Sequence, residues 1–159
     1  MILYLDTSSL VKLYVEEEHS DLVREWVGAA EATASSRVAF PETLSALARR
    51  ARRGDLDDTS FEIVREDFET YWSRFLRLDV DEQRAGRLAV RHLLRGFDAV
   101  HLAAVCGLRD IASPEEVLFS AFDVALVRAA QAEGIECLAI VPPGSQVMEA
   151  AARFDSGPE

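Results

Sequence analysis

The stretch MILYLDTSSLVKLYVEEE sets a carboxylate where an apolar run should continue. Ile2 to Leu5 lead straight into Asp6, which is followed by the hydroxyl residues Thr7, Ser8 and Ser9. Three other acids have a similar setting. Glu42 lies in RVAFPETLSAL, Asp98 in RGFDAVHLAAVC and Asp123 in LFSAFDVALVRAA, each among apolar or small residues, whereas Glu16 to Glu18 read as a solvated run. Carboxylates gathered within a few ångströms repel one another by about 1 to 4 kcal/mol per pair at ~4 Å, depending on the effective dielectric. A divalent cation removes that cost, and Mg²⁺ favours such oxygen ligands. Each acid also has a plainer use. An Asp opening a helix usually accepts the unpaired N–H groups of the first turn, which would suit Asp6, Asp98 and Asp123, and Glu42 could simply face solvent.

Whether the acids meet depends on the elements that carry them. Ile2–Leu5, Ala32–Ser35, Val117–Ser120 and Glu136–Val141 read as short strands, with Phe75–Leu78 a weaker fifth; all but the small-residue second run are rich in apolar residues, as strands buried on both faces should be. Helical patterns fall between them, over Ser9–Val15, Asp21–Ala30, Arg37–Arg53, Ser60–Arg74, Glu82–Leu94, Asp98–Gly107 and Val124–Glu133. Ser20 and Thr59 are placed as N-caps, and Gly54 and Gly134 just past helix ends. Pro41, about a turn into its helix, should tighten or kink the start. This alternation predicts an α/β domain with a mainly parallel sheet of four to five strands and helices on both faces. Functional groups of such sheets collect at the carboxyl ends of the strands, where Asp6 and Asp123 fall.

Whole-chain properties narrow the reading further. With 159 residues, 49% of them hydrophobic, the chain can bury one substantial core, so residues 1–150 are read as a single domain and 151–159 as a frayed polar tail. Seventeen basic against 28 acidic residues give a net charge of −11, so a polyanion would have to be held by a local basic patch or a bound cation. Cys106 and Cys137 lack CxxC spacing and no cleavable signal is evident at the N-terminus, which predicts two reduced core thiols in a cytoplasmic protein. No apolar run approaches the ~20 residues of a membrane span.

The words LDTSSLVKLYVEE, SSRVAFPETLSALARRARRGDL, LLRGFDAVHLAA and LFSAFDVALVRAAQAEG resemble, in that order, the sequence blocks of the PIN-domain family. The resemblance is strongest to the VapC-type toxins of toxin–antitoxin pairs and runs from Met1 to about Val141. It implies a PIN-like three-layer fold in which three or four acids converge at the C-terminal edge of the sheet and bind Mg²⁺ or Mn²⁺ for RNA cleavage. By resemblance the four acids are Asp6, Glu42, Asp98 and Asp123. It also implies a small antitoxin as partner and a homodimer. Family members usually carry Thr or Ser two residues before the fourth acid; here that residue is Ala121, with Ser120 one step back.

On that reading Asp6 and Asp98 are the inner metal contacts, while Glu42 and Asp123 orient water, accept its proton or hold a second ion. Ser8 and Ser120 would support the ligands from behind. RNA would be gripped by Arg84, Arg87, Arg91 and Arg95, which fall within an arc of roughly 80° on one helix face if each residue turns 100°. The run ARRARRG is a second basic cluster, open to RNA or to a protein partner. His101 reads mainly as a hydrogen-bonding or packing residue. Trp26, Tyr71 and Trp72 read as core or dimer contacts. Two other acid-using classes are excluded: a haloacid-dehalogenase-like phosphatase needs a second Asp where Ser8 stands, and a response-regulator receiver needs a late lysine, whereas Lys12 is the sole lysine. The alternative that survives is a non-catalytic PIN-like module that binds RNA or protein.

Overall fold

The computed structural model describes residues 1–113 and 116–138. Five strands, β1 (Ile2–Leu5), β2 (Ala32–Ser36), β3 (Leu76–Leu78), β4 (Val117–Ser120) and β5 (Glu136–Leu138), form one sheet in the order β3-β2-β1-β4-β5. Every neighbouring pair is parallel. Among the described residues seven helices accompany them: α1 (Thr7–Val11), α2 (Ser20–Ala29), α3 (Ala39–Arg53), α4 (Asp58–Trp72), α5 (Glu82–His92), α6 (Gly96–Ile111) and α7 (Val124–Ala132). The expected continuation of the last strand to Val141 and the tail after it lie outside the described residues, as do Pro114 and Glu115.

Side chains alternate across the strands and divide the core into two layers. Tyr4, Ala34, Val117, Phe119 and Cys137 face α5, α6 and α7, where they meet Leu88, Leu102 and Leu126. Leu3, Leu5, Leu118 and Leu138 face the other way, onto Leu10 of α1, Val23 and Trp26 of α2 and Phe68 and Trp72 of α4. Phe40, Phe68, Trp72 and Phe75 pack in a chain with centroids 5.3 to 5.7 Å apart, and Trp72, like Trp26, is buried in this layer. Each fully buried large apolar side chain in these layers stabilises the fold by about 1.5 to 3 kcal/mol.

Several helix starts differ from the sequence expectation. α2 begins at Ser20 itself, after His19 in a left-handed conformation; the Ser20 hydroxyl donates to the Val15 carbonyl and does not cap. Asp57, not Thr59, caps α4 by accepting from the Ser60 N–H at 2.7 Å. α3 starts at Ala39, which moves Pro41 into the first turn, where its missing N–H has no intrahelical acceptor to lose. The entry is tightened, with the Phe40 N–H donating to the Arg37 carbonyl at 3.3 Å. Gly54 and Gly134 do lie at helix ends with φ of 84° and 76°.

The chain order places the site. From β1 the chain winds outward through β2 and β3, then returns to β4 on the other side of β1. The direction of winding reverses between β1 and β4, which opens a crevice at their carboxyl ends. Asp6 ends β1 there, its N–H donating to the Ser120 carbonyl at the end of β4.

Candidate functional site

Asp6 is both the last residue before α1 and its cap. One oxygen, Oδ1, accepts from the Ser9 N–H at 2.9 Å, and the Ser8 hydroxyl donates to the carboxylate at 2.7 and 2.9 Å. Ser8 Oγ in turn accepts from the Phe122 N–H at 3.0 Å, tying the β1–α1 turn to the β4–α7 turn. Ser9 and Ser120 join the same two turns through their hydroxyls, 2.8 Å apart. Asp6 is buried, and that burial raises its carboxyl pKa above the usual range despite the bonds from Ser8 and Ser9 and the nearby His101.

The remaining acids arrive from three helices. Glu42, in the first turn of α3, accepts at Oε2 from the Thr7 hydroxyl (2.7 Å) and from His101 Nε2 (3.0 Å). Burial opposes its ionisation, but the two donors outweigh it and hold the carboxyl below its ordinary pKa. Asp98 is the third residue of α6 and caps nothing; the helix starts at Gly96 with Arg95 before it. Its pKa is raised by burial first, then by the negative charges of Asp123 and Glu42, against the pull of Arg95. Asp123 caps α7, accepting from the Leu126 N–H at 2.9 Å.

All four acids line one cleft of about 440 Å³, together with Thr7, Ser8, His101 and Phe122. Ser120 lies beneath it, fully buried, holding Asp6 through its carbonyl and Ser9 through its hydroxyl. Ala121, at the position where a hydroxyl residue was expected by resemblance, is buried in the core between strands and helices. Among the described residues, no three His, Cys, Asp or Glu side chains are drawn together tightly enough to enclose an ion by themselves. Instead Asp6, Glu42 and Asp123 are each held by hydrogen-bond donors of their own, and Asp98 by its ion pair with Arg95. The donor chemistry suits Mg²⁺, which takes one or two carboxylates directly and keeps several waters. Positive charge is accommodated between two of the acids: the Arg95 guanidinium lies 3.3 Å from Asp98 and 3.5 Å from Asp123.

The arginine stripe does not hold together as one face. α5 ends at His92, Leu93 turns left-handed at φ 54°, and Arg95 belongs to the next helix entry. Arg84 pairs with Asp110 (2.7 Å) and Arg91 with Glu133 (2.9 Å), while Arg87 is exposed; of the four, Arg95 alone lines the cleft. The other cleft cations are Arg49, Arg50 and Arg53 from ARRARRG, and Lys12. Lys12 is a residue the sequence reading missed. Its ammonium donates to Glu17 (2.8 Å) and to the Glu18 carbonyl (2.9 Å) and sits 4.5 Å from the Phe122 ring centroid. Glu17, read as solvated, also binds Arg50 and lines the cleft. The signal for this pair was weak: a lone lysine five residues before an acidic run.

Comparison with known proteins agrees with this architecture. The sequence model of the PIN domain matches residues 3–131. Ribonuclease VapC45 of Mycobacterium tuberculosis (strain CDC 1551 / Oshkosh) and ribonuclease VapC49 of Mycobacterium tuberculosis (strain ATCC 25618 / H37Rv) are each 38% identical over 112 residues, covering 69% of this chain and 78% of the relative. Among solved structures, PAE2754 from Pyrobaculum aerophilum superposes with a TM-score of 0.60 at 19% identity, over 86% of this chain and 83% of the other. VapBC2 from Rickettsia felis, solved bound to a DNA fragment from its promoter, gives 0.59 at 11% identity, over 89% and 100%. The family match spans the strand ends and helix starts that carry all four acids, and the chain belongs to the PIN-domain family.

Proposed function

We propose that this chain is an endoribonuclease of the VapC type, the toxin of a toxin–antitoxin pair, that hydrolyses RNA phosphodiester bonds with Mg²⁺, for which Mn²⁺ can substitute. The observation that carries this reading is the convergence of Asp6, Glu42, Asp98 and Asp123, from four separate chain positions, on one cleft that also presents arginines. The names of the 38% identical relatives and the fold likeness to a VapBC pair support it, and PIN-domain ribonucleases generally use divalent metal ions.

When bound, a divalent cation supplies a more acidic water and neutralises charge growing on the phosphoryl and leaving oxygens. Asp6 and Asp98 would hold it, with Ser8 and Ser9 fixing the Asp6 carboxylate from behind. Asp123 is anchored by the Leu126 N–H through Oδ1, which keeps Oδ2 for the cleft. Glu42, kept ionised by Thr7 and His101, is the group suited to accept the proton of the attacking water. Arg49, Arg53 and Arg95 neutralise phosphates flanking the cut, since screening confines charge effects to about 8 Å and the acidic total does not reach them. The protein acts in the cytoplasm, where its two buried cysteines stay reduced, and a small antitoxin restrains it.

Incubating labelled RNA with the protein in Mn²⁺ and in EDTA tests the reading. Fragments should appear with Mn²⁺ only, and Asp98→Asn should yield none. RNA that binds but stays intact in Mn²⁺ would instead make the chain a non-catalytic PIN-like module.

A further inference from the structure

His101 is buried at 2% exposure, yet both of its ring nitrogens have partners. Nδ1 lies 2.9 Å from the Tyr4 hydroxyl and Nε2 lies 3.0 Å from Glu42 Oε2. The direction of the bond to Glu42 follows from counting donors. Glu42 is ionised and can only accept, so Nε2 carries a hydrogen. The Tyr4 oxygen also accepts from the Ser36 N–H at 3.0 Å. The same hydroxyl is the partner of Nδ1 at 2.9 Å. One hydrogen-bonded chain results, from Ser36 N–H through Tyr4 and His101 to Glu42, with the Thr7 hydroxyl 3.3 Å from the same Nε2. It joins β2, β1, α6 and α3.

The far end of the chain is selective. Thr7 and His101 both donate to Oε2, and no donor among the described residues reaches Oε1. The geometry points to His101 as a positioning residue: locked by Tyr4 and aided by Thr7, it occupies Oε2 so that Glu42 serves the cleft through Oε1 alone. This rests on the nuclease reading for what Oε1 does, though the lock itself does not. Residues that orient a ligand carboxylate from behind typically change metal affinity or activity by about 10- to 100-fold when removed. A histidine serving only to fill the core would be replaceable by an apolar side chain without that loss.

The test uses the full-length protein and three variants, Tyr4→Phe, His101→Leu and His101→Gln. In ¹⁵N NMR the parent His101 should carry a hydrogen on Nε2. Tyr4→Phe, which keeps the ring volume, should release that preference and lower kcat by about tenfold with little change in KM. His101→Leu should weaken Mn²⁺ binding, read by calorimetry, and lower kcat by about 10- to 100-fold, while His101→Gln, which can still donate to Glu42, should recover most of both. Melting temperatures that fall equally for Leu and Gln while only Gln keeps activity would separate positioning from packing. The proposal is overturned if Nε2 of His101 carries no hydrogen, or if His101→Leu binds Mn²⁺ as the parent does. A parent that binds Mn²⁺ but cuts no RNA would sink the nuclease reading, and the Nε2 hydrogen and the Mn²⁺ affinities would still decide the lock.

Discussion

Asp6→Asn separates what this acid does for the fold from what it does for the site. The substitution keeps shape and removes charge. The carboxylate is 5% exposed and receives three donor contacts, two from Ser8 and one from the Ser9 N–H. Charge-assisted bonds contribute about 1.5 to 3 kcal/mol each and neutral ones about 0.5 to 1.5, so neutralisation weakens the two contacts that Asn Oδ1 can keep by about 2 kcal/mol in all. Against this stands the cost of burying an ionised carboxylate, several kcal/mol even after relaxation. The raised pKa of Asp6 gives the sign of the balance, because the folded protein disfavours the ionised form more than the unfolded chain does. Metal-free Asp6→Asn should therefore be more stable than the parent at pH 7 by about 1 kcal/mol, or about 2 to 4 °C in melting temperature for a chain of this size. Linkage gives the same sign: the parent's deficit shrinks as pH falls toward the carboxylate range, where the folded state holds the proton longer. Mn²⁺ should raise the melting temperature of the parent and do so much less for the variant, which should not cut RNA. Thermal melts in EDTA and in Mn²⁺ measure both. A variant that melts below the parent in EDTA and still cleaves RNA would refute the reasoning and leave Asp6 as a helix cap.

The other predictions concern charge, backbone and pH. Replacing Arg49 and Arg53 by Ala should weaken RNA binding and reduce the slope of log affinity against log salt by about 1.4, the value for two phosphates on a single strand, whereas Arg84→Ala should leave the slope unchanged because that side chain is paired with Asp110 away from the cleft. Titrating salt in a filter-binding assay reads both slopes. Gly54→Ala should cost about 1 kcal/mol although no atom lies within 4 Å of the added methyl, since the whole penalty comes from a φ of 84°; chemical denaturation measures it. Glu133 has a lowered pKa, chiefly through His92 and then Arg91, so its contribution is present above about pH 4.5 and is lost as pH falls through the folded value. Glu133→Gln should remove that part of the acid loss, seen in melts from pH 7 down to pH 3.

Local patterns carried most of the elements. Short apolar runs ending at Asp6 and before Asp123, glycines at φ above zero, and alternating strand and helix periods are properties of neighbouring residues, so the sequence alone specified a parallel α/β sheet with acids at its strand ends. The family blocks added Glu42 and Asp98 to the same set. Helix starts were less legible, because Ser, Thr and Asp all accept the same N–H groups and only backbone geometry chose Asp57 over Thr59. The arginine stripe failed for a similar reason: the helical period was carried on to Arg95, but Leu93 turns left-handed and leaves Arg95 at the entry of the next helix, beside the acids. What only the tertiary structure decided are the partners. His101 and Glu42 are 59 residues apart, and Lys12 finds Phe122 across the crevice. A donor and an acceptor on different elements meet only once the crossovers have set which strand ends adjoin, and that information lies in the packing of both faces of the sheet, not in any stretch of neighbouring residues.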